Sequence, residues 1–291
     1  MNTVFLRSVR AGVLGGCGAL ALAGCQTIDV RNINVMELAT GAGKLAQTLS
    51  RTVSPEEEEA MGRDATALLL GTAPLVKHNG VQQYVNQVGR WVASQSDAKD
   101  VEWRFAVIDS DTVNAFAAPA GYVLITRGLF MRLHDEAELA GVLGHEIAHV
   151  VKGHYVKTML KQDRAGALAG LAGSLAESQG KAEYVPLVNL SRGVYSSGLD
   201  KGDEYQADRM GVVFAARAGY DPYGLPRVLQ MYSASAGGAG FELLFSTHPS
   251  PDDRLDKLAD LMDTRFETLE ASGQRNEAGF KKQVRALGGR G

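Results

Sequence analysis

The segment His145-Glu146-Ile147-Ala148-His149 holds the residue types from which a metal-dependent hydrolase builds its reactive centre. Two histidines four positions apart project about 40° apart around a helix, so both imidazoles converge on one ion from the same face. Glu146 lies beside them. In this arrangement His145 and His149 ligate one Zn2+ per chain. Glu146 takes a proton from the attacking water and delivers it to the departing amine. Such a five-residue pattern also arises by chance on solvated helices. Here the flanks argue for burial, because Leu139, Val142, Leu143, Ile147, Val150 and Val151 leave the helix with little polar surface. Buried paired histidines beside a glutamate need partners for their polar atoms, and a metal provides one.

A catalytic zinc site takes three protein ligands and keeps one position open. His154 falls nine positions after His145. That is about 180° round a helix, so it reaches the same ion only if the helix breaks first; otherwise it is a helix-end cation facing the C-terminal dipole. Lys152 and Tyr155 stand where a three-histidine metzincin pattern has its glycine and third histidine. A better candidate lies in Asp203-Glu204-Tyr205-Gln206-Ala207-Asp208-Arg209, where Glu204 and Asp208 share a helical face through i, i+4 spacing. Glu204 can be the third ligand. Asp208 can accept the free N–H of a ligating histidine, which fixes the tautomer and raises basicity. His248 precedes Pro249 in a polar loop, so its backbone is extended. From there it can stabilise the oxyanion of the tetrahedral intermediate or occupy the open zinc position.

These groups need a scaffold, and the chain signals one. Ser54-Pro55-Glu56-Glu57 combines a capping serine, a first-position proline and early acids, which starts a helix and the domain. A second helix is expected over residues 81–94. Short β-prone runs follow at 104–108, 113–117 and 122–126, with Ala118-Pro119-Ala120-Gly121 as a turn. They read as a small antiparallel sheet beside the metal-binding helix. Asp135 caps that helix and Glu138 completes a capping box, which predicts residues 136–153 helical. Further helices are expected over 203–218, ended by Gly219, and from Pro251 with Ser250 as its cap. The run Ala165 to Gly180 is small and apolar, fitting a close-packed helix, an ordered loop, a lid or a membrane-touching segment. The fold class is α+β and mainly helical.

The N-terminus has a separate job. Arg7 and Arg10 precede an apolar run from Ala11 to Ala23 that ends Leu22-Ala23-Gly24-Cys25, which reads as a signal peptide over 1–24 with a lipobox. Cys25 would then be lipidated, with residues 25–53 as a tether and 54–291 as the catalytic domain. Gln26 follows where an Asp would signal inner-membrane retention, which favours the periplasmic face of the outer membrane. Cys17 leaves with the signal, so metal must be held by His, Asp and Glu. With 22% charged residues and a formal charge of −3, the chain lacks the basic surplus of a nucleic-acid binder.

Asn114-Ala115-Phe116, Gly121-Tyr122-Val123, Gly144 to His149, His154, Glu204 to Asp208, Thr247-His248-Pro249-Ser250 and Arg254 together resemble the M48 family of metallopeptidases, in its periplasmic lipoprotein-type form. The match runs from about residue 104 to 256. The resemblance implies a gluzincin fold, zinc held by two histidines and a glutamate, and endopeptidase activity on misfolded or misassembled envelope proteins. It also implies that an edge strand beside the metal helix pairs with extended substrate; Asn114, Ala115 and Phe116 are the candidates, with Ala117, Ala118 and Ala120 keeping the edge open. Two rivals remain. A chaperone-like assembly factor would make little use of Glu146, and a deformylase-type hydrolase would want a cysteine ligand.

Overall fold

A computed structural model describes residues 35–177, 199–235, 240, 248, 250–262, 266 and 273–289. The expected signal peptide and Cys25 lie outside this set, as does Thr247. Helix α1 (Val35–Leu49) occupies most of the stretch read as a tether, and it lies along a later helix, α6 (His154–Glu177). Arg51 closes that contact with an ion pair to Asp163 at 2.5 Å.

Helix α2 (Pro55–Thr72) starts where the sequence says it should: the Ser54 hydroxyl accepts from the Glu57 amide at 3.2 Å, and Pro55 fills the first turn. Helix α3 (Asn79–Ala93) presents Val81, Val85, Val88 and Val92 to the core at 3.6-residue spacing. Strands β1 (Arg104–Ile108), β2 (Ala115–Ala118) and β3 (Tyr122–Thr126) follow. The sheet is mixed, which corrects the antiparallel expectation. Its order is β1-β3-β2, with β1 parallel to β3 and β2 antiparallel to it. The physical reason is the connection 109–114, which carries the chain past the position of β3, so that β2 turns back beside it as an outer strand. Ala120 (φ 60°) and Gly121 (φ 90°) make that turn.

After the short helix α4 (Arg127–Phe130) comes α5 (Glu136–Val151), buried on every face from Glu136 to Val150. Asp135 caps it, accepting from the Glu138 amide at 2.9 Å. The return arm of the expected capping box is redirected: Glu138 accepts from the amide of His134, not Asp135, and pairs with Arg227. Helix α6 takes in residues 165–177 of the small apolar run, of which 178–180 are not described. The remaining helices are α7 (Lys201–Arg217), α8 (Gly224–Ala234), α9 (Pro251–Met262) and α10 (Glu277–Ala286). The main core forms where α3 and the sheet meet α5, around Phe105, Val107, Ile125, Leu143 and Ile147. None of the described helices is long and apolar enough to cross a membrane.

Candidate metal centre

Two helices build the centre, and glycines set their distance. A Cβ at Gly144 on α5 would sit 2.8 Å from the Gly211 carbonyl oxygen, and one at Gly211 on α7 would sit 2.7 Å from the His145 amide nitrogen. Only bare backbones pass this closely. The contact brings the first turns of α7, with Glu204 and Asp208, against the imidazoles of His145 and His149. All four side chains are buried.

Hydrogen bonds fix which nitrogen of each histidine is free. His145 donates Nδ1–H to Asp208 Oδ1 at 2.8 Å, which turns its Nε2 toward His149. Asp208 is itself clamped by Arg254, whose Nε and Nη2 reach its two oxygens at 2.8 and 2.6 Å. Burial works to raise the Asp208 carboxyl, but Arg254 and then His145 outweigh it and hold it below its ordinary value. On the other side, His154 donates Nε2–H to Gln206 Oε1 at 3.0 Å and accepts from His149 Nδ1 at 2.9 Å. The Nε2 of His149 is therefore left free as well. Burial pushes His149 well below its ordinary pKa, with the neighbouring His145 acting the same way, so the ring is neutral.

The two Nε2 atoms consequently face each other across 2.9 Å, each being the nitrogen that its outer partner leaves free. Lone pairs opposed in a buried site repel unless a cation lies between them. Glu204 completes the donor set, with its oxygens 3.6 Å from His145 Nε2 and 3.5 Å from His149 Nε2. Tetrahedral zinc with bonds of about 2.0–2.1 Å places its ligand atoms roughly 3.3 Å apart. Among the described residues Glu204 Oε1 and Glu146 Oε2 are buried without a hydrogen-bond partner. Nitrogen and carboxylate donors of this kind suit zinc. His248 joins them: its Nδ1 donates to Glu204 Oε2 at 2.8 Å, and one ligand atom from each of His145, His149, Glu204 and His248 lies within 4.8 Å of the others. Burial would raise the Glu204 carboxyl, but the charge and hydrogen bond of His248 hold it well below the carboxylate range. Glu146, buried beside the histidines, is raised by that burial against the opposing pull of His145 and His248.

The expectation for His154 fails in an instructive way. It is no helix-end cation but a buried, neutral ring, lowered by burial. Helix α5 stops at Val151, and Gly153 (φ 61°) turns the chain so that His154 folds back onto His149. Gly153 was the visible signal. The Arg254 clamp on Asp208 joins positions 46 residues apart, which no local pattern reveals. The strand candidates fall on β2, one of the two outer strands of the described sheet, with Ala115 and Phe116 in it and Asn114 just before it. Ala115 also borders the cleft containing His145, Glu146 and His248.

The sequence model of peptidase family M48 matches residues 79–262, which contain every residue of this centre. The chain belongs to peptidase family M48. Among M48 relatives, it is 31% identical over 227 residues to the beta-barrel assembly-enhancing protease of Escherichia coli (strain K12), covering 75% of this chain and 45% of that protein. It is 28% identical over 214 residues to the mitochondrial metalloendopeptidase OMA1 of Schizosaccharomyces pombe, covering 71% and 61%. To the metalloprotease YcaL of Escherichia coli it is 25% identical over 254 residues, covering 83% of this chain and 92% of that protein. The chain spans less than half the length of the beta-barrel assembly-enhancing proteases it matches.

Proposed function

We propose that this M48 protein is a zinc-dependent endopeptidase that cleaves extended or misfolded cell-envelope proteins. In this reading it is lipid-anchored through Cys25 at the periplasmic face of the outer membrane, with 54–291 as the catalytic domain. The observation that carries the catalytic part is the pair of buried Nε2 atoms opposed at 2.9 Å, with Glu204 beside them and Glu146 at their edge. The envelope substrate is supported by the M48 relatives named beta-barrel assembly-enhancing protease, and the anchor by the Leu22-Ala23-Gly24-Cys25 ending.

His145, His149 and Glu204 would hold the zinc, and Asp208 and His154 would keep both rings in the ligating tautomer. Bound zinc supplies Lewis-acid polarisation of the scissile carbonyl and makes water acidic enough to attack near neutral pH. Glu146 takes one proton from that water as its oxygen bonds to the carbonyl carbon. The same carboxyl would pass that proton to the amine as the C–N bond breaks, and the remaining water proton follows to give one carboxylate and one ammonium terminus. In this reading β2 would align an extended chain by backbone hydrogen bonds, which read little sequence and suit unfolded substrates. His248 holds Glu204 and joins the same cluster as His145 and His149. This supports a latch that withdraws on substrate entry over a constant oxyanion donor.

Incubating an unfolded outer-membrane β-barrel protein with the wild type and with Glu146→Gln tests this reading. Glu146→Gln should bind zinc and stay folded while hydrolysis falls by about 10²–10⁴. Equal cleavage by both proteins would overturn it. No cleavage by either, with full protection of the client from aggregation, would favour the chaperone.

A further inference from the structure

One exposed face lies outside the metal centre and has no part in its chemistry. Helix α1 packs on α6 and, among the described elements, on no other to a comparable extent, so the pair stands off the main core. Among the described side chains of α6 the exposed ones are Lys157, Lys161, Ala165, Leu168 and Ala169. At about 100° per residue they fall within roughly 120° of one another, which makes a single stripe about 18 Å long. It is cationic near the start of the helix and hydrocarbon further on, where it enters the small apolar run.

Water is a poor partner for much of this stripe. Leu168 is 51% exposed, and Met36, where the tether enters α1, is 75% exposed. The one acid among the described side chains of α6, Asp163, is turned to Arg51. Lys161 has Asp200 3.5 Å away, but both side chains are more than half exposed, so that pair holds it weakly. In a chain of formal charge −3 the stripe therefore sets two cations beside hydrocarbon, the combination with which a helix lies on an anionic bilayer. The anchor says what covers it. Between the expected lipidated Cys25 and the start of α1 at Val35 there are only residues 26–34. At no more than about 3.6 Å per residue, that tether keeps α1 within roughly 36 Å of the acyl chains.

We propose that the exposed stripe of α6 docks on an anionic phospholipid surface, with Lys157 and Lys161 meeting headgroup phosphates and Leu168 entering the boundary between headgroups and acyl chains. The proposal rests on the lipid-anchor reading above for what brings this face to the bilayer, and on the stripe itself for what it does there. Long lysine stems let the ammonium groups reach phosphate while the helix lies lower among the headgroups. The docking has a consequence for the metal centre. Helix α6 begins at His154, whose ring bonds His149, and Lys157 follows one turn later. A docked stripe therefore fixes the attitude of the centre to the membrane, which a flexible tether alone cannot do.

The test uses the chain from residue 25 with Cys25→Ser, which holds every described residue and carries neither cysteine nor acyl chain. Flotation with vesicles of three parts phosphatidylethanolamine to one part phosphatidylglycerol should show binding that phosphatidylethanolamine alone does not give and that about 0.5 M salt removes. Each lysine at an anionic surface is worth roughly a factor of five, so Lys157→Gln with Lys161→Gln should weaken binding about 25-fold. Leu168→Gln should weaken it about tenfold. Lys99→Gln with Lys282→Gln removes the same charge from exposed positions elsewhere and should change binding by less than about twofold. A bimane probe on Leu168→Cys should shift to the blue with the anionic vesicles, and one on Lys282→Cys should not, a reading that holds even if the glutamine variants fold poorly. No binding, equal losses in the two lysine pairs, or a probe at position 168 that keeps its aqueous spectrum would overturn the proposal. So would self-association without lipid that Leu168→Gln abolishes, which would give the face to a second copy of this chain. Palmitate labelling of the wild type in a diderm host judges the anchor separately: unlabelled protein, with vesicle binding by the Cys25→Ser chain retained, would sink the anchor and support the docking face.

Discussion

Replacing Gly211 by alanine tests how the centre is assembled, because it removes no ligating atom and meets only the backbone of α5. The new Cβ would lie 2.7 Å from the His145 amide nitrogen and 3.0 Å from the Gly144 carbonyl carbon, where ordinary contact begins at 3.4 Å. Both neighbours are helix backbone and cannot rotate away, so α5 and α7 must part by about 0.7 Å or shear by a similar amount. Glu204 rides on α7 and the two histidines on α5, at separations of 3.5 and 3.6 Å. A metal site tolerates deviations of about 0.2 Å, so the displacement exceeds the tolerance several-fold. Overpacking of this kind costs about 1–3 kcal/mol. At about 2–4 °C per kcal/mol for a domain of this size, Tm should fall by roughly 2–12 °C. Zinc affinity, measured by competition with a chromophoric chelator, should fall tenfold or more. Gly202→Ala is the control: it lies on the same helix, its Cβ meets nothing within 4 Å, and alanine there should be neutral or stabilising by up to about 1 kcal/mol. Wild-type zinc affinity and Tm in Gly211→Ala would show that the glycine contact does not set the site.

Arg254→Met leaves Asp208 charged and buried without its clamp. Urea unfolding should show a loss of about 3–5 kcal/mol, with weaker zinc binding, whereas an unchanged midpoint would mean that the pair contributes nothing net. His154→Ala removes the acceptor of the His149 Nδ1 proton, and chelator competition should report a 10–100-fold loss of zinc affinity. His154→Asn, which can still accept, should recover part of it. His248→Ala should raise peptide hydrolysis if His248 is a latch; a drop of about 10²–10³ would assign it to the oxyanion.

Local patterns carried much of the architecture. The caps at Ser54 and Asp135, the apolar residues flanking the histidines of α5, and the runs that became β1 and β3 follow from neighbours within a few residues, and such signals are readable without a structure. The parallel pairing of β1 with β3 was hidden because strand order depends on where a connection crosses, not on the strands themselves. His145, Glu146 and His149 announce themselves by spacing, and Glu204 with Asp208 by theirs. The supports were less legible. His154 depends on a single glycine that reverses the chain, and the Arg254 clamp depends on two helices meeting across 46 residues of sequence. Gly144 and Gly211 carry no local signal, because what requires them is the backbone of a helix distant in sequence.

The central claim is that His145, His149 and Glu204 form one zinc centre. Anomalous diffraction from crystals of the protein purified without chelator, collected above and below the zinc edge, tests it most directly. The account predicts one zinc peak per chain, about 2.0–2.2 Å from His145 Nε2, His149 Nε2 and a Glu204 oxygen, with Asp208 and His154 behind the rings. A crystal whose zinc peak is bound by other side chains, or a fully folded protein with no peak at this position after zinc loading at neutral pH, would contradict it.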